Sequence, residues 1–394
     1  MTRSEQWSLY VGAAMTSIGV SAVFALLAEL RDRYDLPTWS LGMISASAFI
    51  AALIVQLGLA RYADRGHGTR MLVGGVILAA VGLGWMAVGT ELWQFVGARC
   101  LLGFGSGIFL PAARRAVIVS GGRQRAERLG TLYGVYLFGF VIGPPIAGLL
   151  ASVGDVRLPF LVLAVPVLAV APIVARVPVP AQAISAEVRS RPVVRSLVRS
   201  RPVIAAVLVV VSFRFSIGVF EPLWAVYLSD AGASTLQIAL SLSVFALPMI
   251  VIAPLGGRFA DRNGPRWASL VSAVATVPFM AAYGFTSSVL LLSFLALLHG
   301  LLEAIESPGS QAALADAAPE DDAGAAQGVG EAAGSAAAAL AALATTPLYD
   351  STGGTTTWIA AAGVMALLLG ASWWLDAPRR ASPPIGSEAV RETT

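Results

Sequence analysis

His299, Glu303 and Glu306 stand at i, i+4 and i+7 in a stretch that is otherwise almost wholly apolar. In a helix that spacing puts all three on one face. Two carboxylates one turn apart in low-dielectric surroundings cannot comfortably both ionise, so they share a reversible proton site that His299 is placed to relay or tune. A fixed polar network that merely holds helices together would use the same residues. Arg214, Glu221, Glu331, Arg99 and Glu29 are further ionisable residues in or beside apolar stretches. Each costs about 2.5–3.5 kcal/mol at the centre of a membrane helix on insertion scales, so such groups are turned toward a cavity and used. Arg214 is the expected counter-ion of Glu303. Arg99 is expected to pair with Glu29, unless Glu29 is a solvated neighbour of Arg31. Glu221, among Phe213, Phe220, Trp224 and Tyr227, is a carboxylate beside aromatics, a setting that suits a lipophilic cation.

Spans of a membrane must carry these groups. The chain has 394 residues, is 57% hydrophobic and only 12% charged, and has a mean hydropathy of +0.76, which a soluble domain does not reach. Apolar stretches able to cross about 30 Å of hydrocarbon fall at 7–30, 39–60, 71–90, 92–116, 130–152, 159–175, 202–228, 236–257, 267–286, 289–315, 324–348 and 357–375, so an all-α membrane protein of twelve transmembrane helices is expected. The first is too long for a signal-peptide core and has no clear small-residue cleavage site. Cys100 is the single cysteine, which excludes an internal disulfide. There is no GxxxxGK[ST] loop, no Cys/His metal spacing and no GxSxG elbow. No enzyme activity, cofactor, metal or nucleic acid is therefore expected.

The chain repeats itself. Asp64-Arg65 returns as Asp261-Arg262, Gly103 as Gly300 and Pro111 as Pro308, each 197 positions later (261 − 64, 300 − 103, 308 − 111). Two parallel six-helix halves follow, 1–175 and 202–376, joined by a basic linker at 176–201 and followed by a disordered tail at 377–394. The charges are not repeated: at the same offset His299 answers Leu102, Glu303 answers Ser106, Glu306 answers Phe109, Arg214 answers Ser17, Glu221 answers Phe24 and Glu331 answers Gly134. The second half is thus expected to hold most of the coupling chemistry. All basic charge is arginine; with both termini cytoplasmic, 21 arginines face inside and Arg31, Arg33 and Arg157 face out, as the positive-inside rule requires. Trp7, Trp39, Trp93, Trp224, Trp267, Trp358, Trp373 and Trp374 fall near predicted helix ends, the level of the headgroups. In the linker, Arg191, Arg195 and Arg199 fall on one helical face opposite Val194, Leu197 and Val198, so residues 189–201 read either as a short helix on anionic lipid or as a disordered segment.

The sequence GRFADRNGPR at 257–266 and its twin around Asp64 resemble the signature loops of the major facilitator superfamily. RCLLGFGSG at 99–107 resembles that superfamily's helix 4 motif, and GFVIGPPIAG at 139–148 the helix 5 motif of its proton-coupled exporters, particularly the twelve-helix drug/proton antiporters. The first loop departs by one extra residue between Asp64 and Gly68. The resemblance implies alternating access and proton-coupled export of small amphipathic compounds from the cytoplasmic (plasma) membrane, by a monomer whose partners are its substrate, protons and the bilayer. Export of a sugar, metabolite or lipid by the same fold is the alternative; a membrane-embedded transferase leaves the duplicated loops unexplained. It further implies gating loops at Asp64, Arg65, Arg70 and Asp261, Arg262, Arg266, in which each Asp meets the positive end of a helix, a contact typically worth about 0.3–1 kcal/mol. Gly139, Gly143 and Gly148 allow close helix approach and Pro144 and Pro145 a bend, which read as plain packing or as a leak-proof hinge.

Overall fold

The computed structural model describes residues 2–59, 66–120, 125–179, 193–319 and 322–376. Asp64 and Arg65, residues 189–192 of the linker and the tail at 377–394 lie outside the described residues.

Capping and helix breakers delimit the spans. α1 (Arg3–Arg33) opens on a capping box in which Glu5 N donates to Thr2 Oγ1 (3.3 Å) and Thr2 N to Glu5 Oε2 (2.7 Å). It is followed by α2 (Thr38–Ile54), which runs on as a π turn (Val55–Leu59), then α3 (Gly68–Val88), α4 (Leu92–Ser120), α5 (Arg125–Val153) and α6 (Arg157–Ala169, continued by Ala171–Val174). The second half holds α7 (Arg201–Asp230), α8 (Thr235–Val251 and Ala253–Asn263), α9 (Pro265–Ala282) and α10 (Val289–Asp316). α8 bends by 54° after Pro248. A final helical run, Ala323–Asp376, would be about 80 Å long if straight. Gly353, at φ 81° and ψ 174°, breaks it into α11 (323–352) and α12 (354–376). The described residues therefore contain the twelve expected spans and no strand.

The repeat is visible in three dimensions. α1 packs on α5 as α7 packs on α11, and α3 on α4 as α9 on α10. A Cβ on Gly103 would come within 2.5 Å of the Ala48 carbonyl oxygen, and one on Gly300 within 2.1 Å of that of Phe245. The partners, like the glycines, lie 197 apart (245 − 48), so the same backbone approach between second and fourth helices is built twice. The halves meet along α2 with α11 and α5 with α8. One face of the bundle carries the described chain ends and most of the described arginines and is here termed the basic face; the other is the opposite face.

Two expectations change. Trp224 and Trp358 are not at the bilayer surface: they are buried in an aromatic cluster with Phe220, Tyr227 and Tyr283, and Trp224 Nε1 donates to Ser241 Oγ at 2.9 Å. Among the described residues of the linker Val193–Leu197 forms a helix, and its faces do not segregate as expected: Leu197 is buried against Val203, Ala206, Leu314 and Ala326, while Val194 and Val198 are exposed with Arg195 and Arg199.

Candidate functional site

The ionisable residues form three levels. Nearest the opposite face, bonds cross directly between the halves. Arg31 Nη2 donates to Asp230 Oδ1 at 2.9 Å and Thr235 to Glu29 Oε2 at 2.6 Å, while within the second half Tyr349 donates to the other Asp230 oxygen at 2.7 Å. The Thr346 hydroxyl reaches the Trp39 carbonyl at 3.3 Å. Just beneath, Arg99 of α4 pairs with Glu221 of α7 at 2.5 Å, both side chains only 1% exposed. Arg99 also donates to the Val20 carbonyl (3.0 Å) and lies over the Phe24 ring, 4.9 Å from its centroid. The expected pair of Arg99 with Glu29 is thus replaced: Glu29 is held by Thr235, and Glu221, shut away with an arginine, is not an open seat for a cation. Helix spacing locates charges on their own helix but not across the bundle.

The second level is the α10 face. His299, Glu303 and Glu306 are all buried at 1% exposure or less. His299 Nδ1 is 3.1 Å from the Tyr283 hydroxyl, and its Nε2 is 3.4 Å from Glu303 Oε1. Ser216 of α7 donates to the same Glu303 oxygen at 3.0 Å. Glu303 Oε2 and Glu306 Oε1 find no hydrogen-bond partner among the described residues. A buried carboxylate oxygen without a donor is costly when charged. Ser216 and Tyr283 were not singled out from sequence: one is an ordinary helix serine, the other a helix-end tyrosine, and neither breaks the apolar pattern.

The third level opens toward the basic face. Arg214, about 20 Å along α7 from its start, pairs with Glu331 of α11 rather than with Glu303. Gln311 of α10 donates to the other Glu331 oxygen at 3.4 Å and accepts at its carbonyl from Gln327 at 2.6 Å. Arg214 and Glu331 remain 29% and 19% exposed. Gln311 could have been found as a polar residue about two turns beyond Glu303 on the same helix. At the basic face itself Asp261, Arg262 and Arg70 are exposed, and Asp261 has no bond among the described residues. Arg266 pairs with Asp376 at the end of α12. The glycine with positive φ in the first loop is Gly66 (85°), not Gly68, which is helical and lies against Val179; its counterpart in the second loop is Gly264 (90°).

In α5, Cβ atoms at Gly139 and Gly143 would meet the Ala14 and Ile18 carbonyls of α1 at 2.5 and 2.7 Å, and one at Gly148 the Ala239 side chain of α8 at 2.6 Å. Pro144 and Pro145 lie inside the helix between these contacts. No cluster of His, Cys, Asp or Glu among the described residues has the shape of a metal site.

The Major Facilitator Superfamily profile matches residues 9–227 and again 206–393. Multidrug resistance protein MdtG of Enterobacter lignolyticus is 25% identical over 320 residues, 77% of this chain and 76% of that protein. Quinolone resistance protein NorA of Staphylococcus aureus is 32% identical over 105 residues, 26% of each chain. Among solved structures, a bacterial homolog of the human lysosomal transporter Spinster superposes with a TM-score of 0.83 at 13% identity, covering 95% of this chain and 97% of that one. The nucleoside transporter NupG gives 0.79 at 13% identity over 95% and 100%, and a D-xylose-proton symporter 0.75 at 16% over 94% and 97%. With the family profile taking in both halves of a duplicated twelve-helix bundle, the chain belongs to the Major Facilitator Superfamily.

Proposed function

We propose that this transporter is a proton-coupled exporter of small amphipathic organic compounds that works by alternating access. The observation that carries the reading is the buried pair on α10: Glu303 and Glu306, each with an oxygen lacking a donor, beside His299. Such a site takes and gives protons with no other change of bonding. The multidrug resistance relatives support the substrate class. The basic face is assigned to the cytoplasm of a plasma membrane, with both termini there, because arginine is concentrated on it. Cross-half bonds gathered near the opposite face, from Arg31 with Asp230 to Arg99 with Glu221, then correspond to a state closed to the outside. On return to the other state the loops of Asp64 and Asp261 close the inner side, α5 flexes at Pro144 and Pro145, and Arg195 and Arg199 rest on anionic lipid.

Proteoliposomes with an imposed pH gradient test this. Amphipathic dyes and drugs should move against their gradient only when protons run the other way, and Glu303→Gln should abolish that movement without loss of folded protein. Transport indifferent to the pH gradient would sink the proton coupling. Movement confined to nucleosides or xylose would replace the substrate class and leave the fold's function as a transporter intact.

A further inference from the structure

Resting on that reading, we infer that Arg214 is the substrate anchor and that it selects compounds bearing an anionic group, with Glu331 as the resident carboxylate which the substrate displaces. The exposed charges within the bundle decide the class. Arg214 and Glu331 are accessible, whereas the buried Glu221, Glu303 and Glu306 cannot be reached by a ligand in this state. The groups in electrostatic reach of this pair come from both halves: Arg114 of α4 acts on Glu331, and Tyr133 and Tyr136 of α5 act on Arg214. Groups of both halves in reach of the pair put Arg214 near the seam between them. Arg114 is itself exposed.

Two guanidinium groups and one carboxylate leave this wall with a formal charge of +1. A cation entering must compete with Arg214 for Glu331 while facing the like charge of Arg114. An anion instead replaces Glu331 on a planar fork that takes carboxylates two bonds at a time. Displaced Glu331 keeps Gln311, whose side-chain amide already reaches it. Tyr133 and Tyr136, in electrostatic reach of the arginine, add aromatic surface that suits an aryl body on a compound with an acidic group. The expected substrates are thus amphipathic acids and zwitterions rather than bare lipophilic cations.

Equilibrium binding in nanodiscs, with no gradient, separates this assignment from the transport reading. The probes are naphthoate, naphthamide and naphthylmethylammonium, matched in size and differing in charge. Wild-type protein should bind naphthoate about tenfold tighter than the amide and the ammonium weakest. Arg214→Gln should erase that preference, Arg214→Lys should keep part of it, and Glu331→Gln should strengthen naphthoate binding by freeing the fork. Arg114→Gln, in an exposed position, covers the case in which the Arg214 variants fold poorly and should weaken naphthoate alone. Naphthoate binding no better than the amide, an ammonium bound tightest, or a ranking that survives both Arg214→Gln and Arg114→Gln overturns the assignment. Failed gradient-driven transport with the ranking intact would instead overturn the proposed coupling.

Discussion

Arg99 and Glu221 hold the halves together where neither touches water, and a pair of that kind is asymmetric in its energetics. Removing one partner strands the other charge in a dry site at a cost of about 3–5 kcal/mol, whereas replacing both with apolar residues of similar size is commonly neutral or better. Arg99→Met should therefore lower the melting temperature sharply, and Arg99→Met with Glu221→Leu should restore it; a double variant no more stable than the single one would show that the pair is not the closing bond. The α10 carboxyls give a second test. If they carry the exchangeable proton, substrate added to unbuffered purified protein should release protons, and the Glu303→Gln, Glu306→Gln double variant should release fewer; equal release from both would remove the site from the coupling. Sequence sufficed to pick out His299, Glu303 and Glu306 as one face, because helical spacing is local. It could not assign Arg99 to Glu221 or Arg214 to Glu331, since which helices face each other is set by the bundle and not by spacing along either chain segment.

Helix α5 shows what a motif can and cannot disclose. The glycines at 139, 143 and 148 are legible as close-approach positions, and the structure divides their labour: Gly139 and Gly143 lie on α1 of their own half, Gly148 on α8 of the other. Gly130 and Gly134, equally glycine, have nothing within reach of an added Cβ. Gly139→Ala should thus push a methyl against the Ala14 carbonyl and cost about 1–3 kcal/mol as overpacking, seen as a lower melting temperature. Gly134→Ala should be neutral or slightly stabilising on helix propensity alone. Gly148→Ala presses between halves rather than within one, so it should alter transport rate more than melting temperature. If all three variants melt alike, close approach is not why α5 carries its glycines. The aromatic cluster that swallows Trp224 and Trp358 was beyond the sequence, because a tryptophan near a helix end reads as interfacial until a neighbouring helix is known to cover it.

At the scale of the molecule, the duplication is in the scaffold and the charges depart from it, and that departure reaches the loops of the basic face. Around the junction of α4 and α5 the first half carries Arg114, Arg115, Arg123, Arg125 and Arg128; the matching junction of α10 and α11 carries Asp316, Glu320, Asp321 and Asp322 and no arginine. Arg123, Glu320 and Asp321 lie outside the described residues. In the present state the described bonds between halves run from the opposite face to Gln56 and Ser335, 3.2 Å apart, and Asp261 stands exposed. When the basic face closes, oppositely charged loops should approach and add a latch to the Asp-Arg loops, one screened beyond about 8 Å at physiological ionic strength. The variant that lacks the Arg99 and Glu221 pair supplies the closed state for a test, since it loses the bond that favours the present one. With Cys100 replaced by serine and spin labels at Val119 and Ala318, double electron-electron resonance should give a shorter distance in that variant than in the parent protein. The shortening should shrink in high salt or with Asp316→Asn, Asp321→Asn and Asp322→Asn. A distance that shortens equally well without those charges would leave closure to the Asp-Arg loops alone, and one that does not shorten would mean that the buried pair is not what keeps the basic face open.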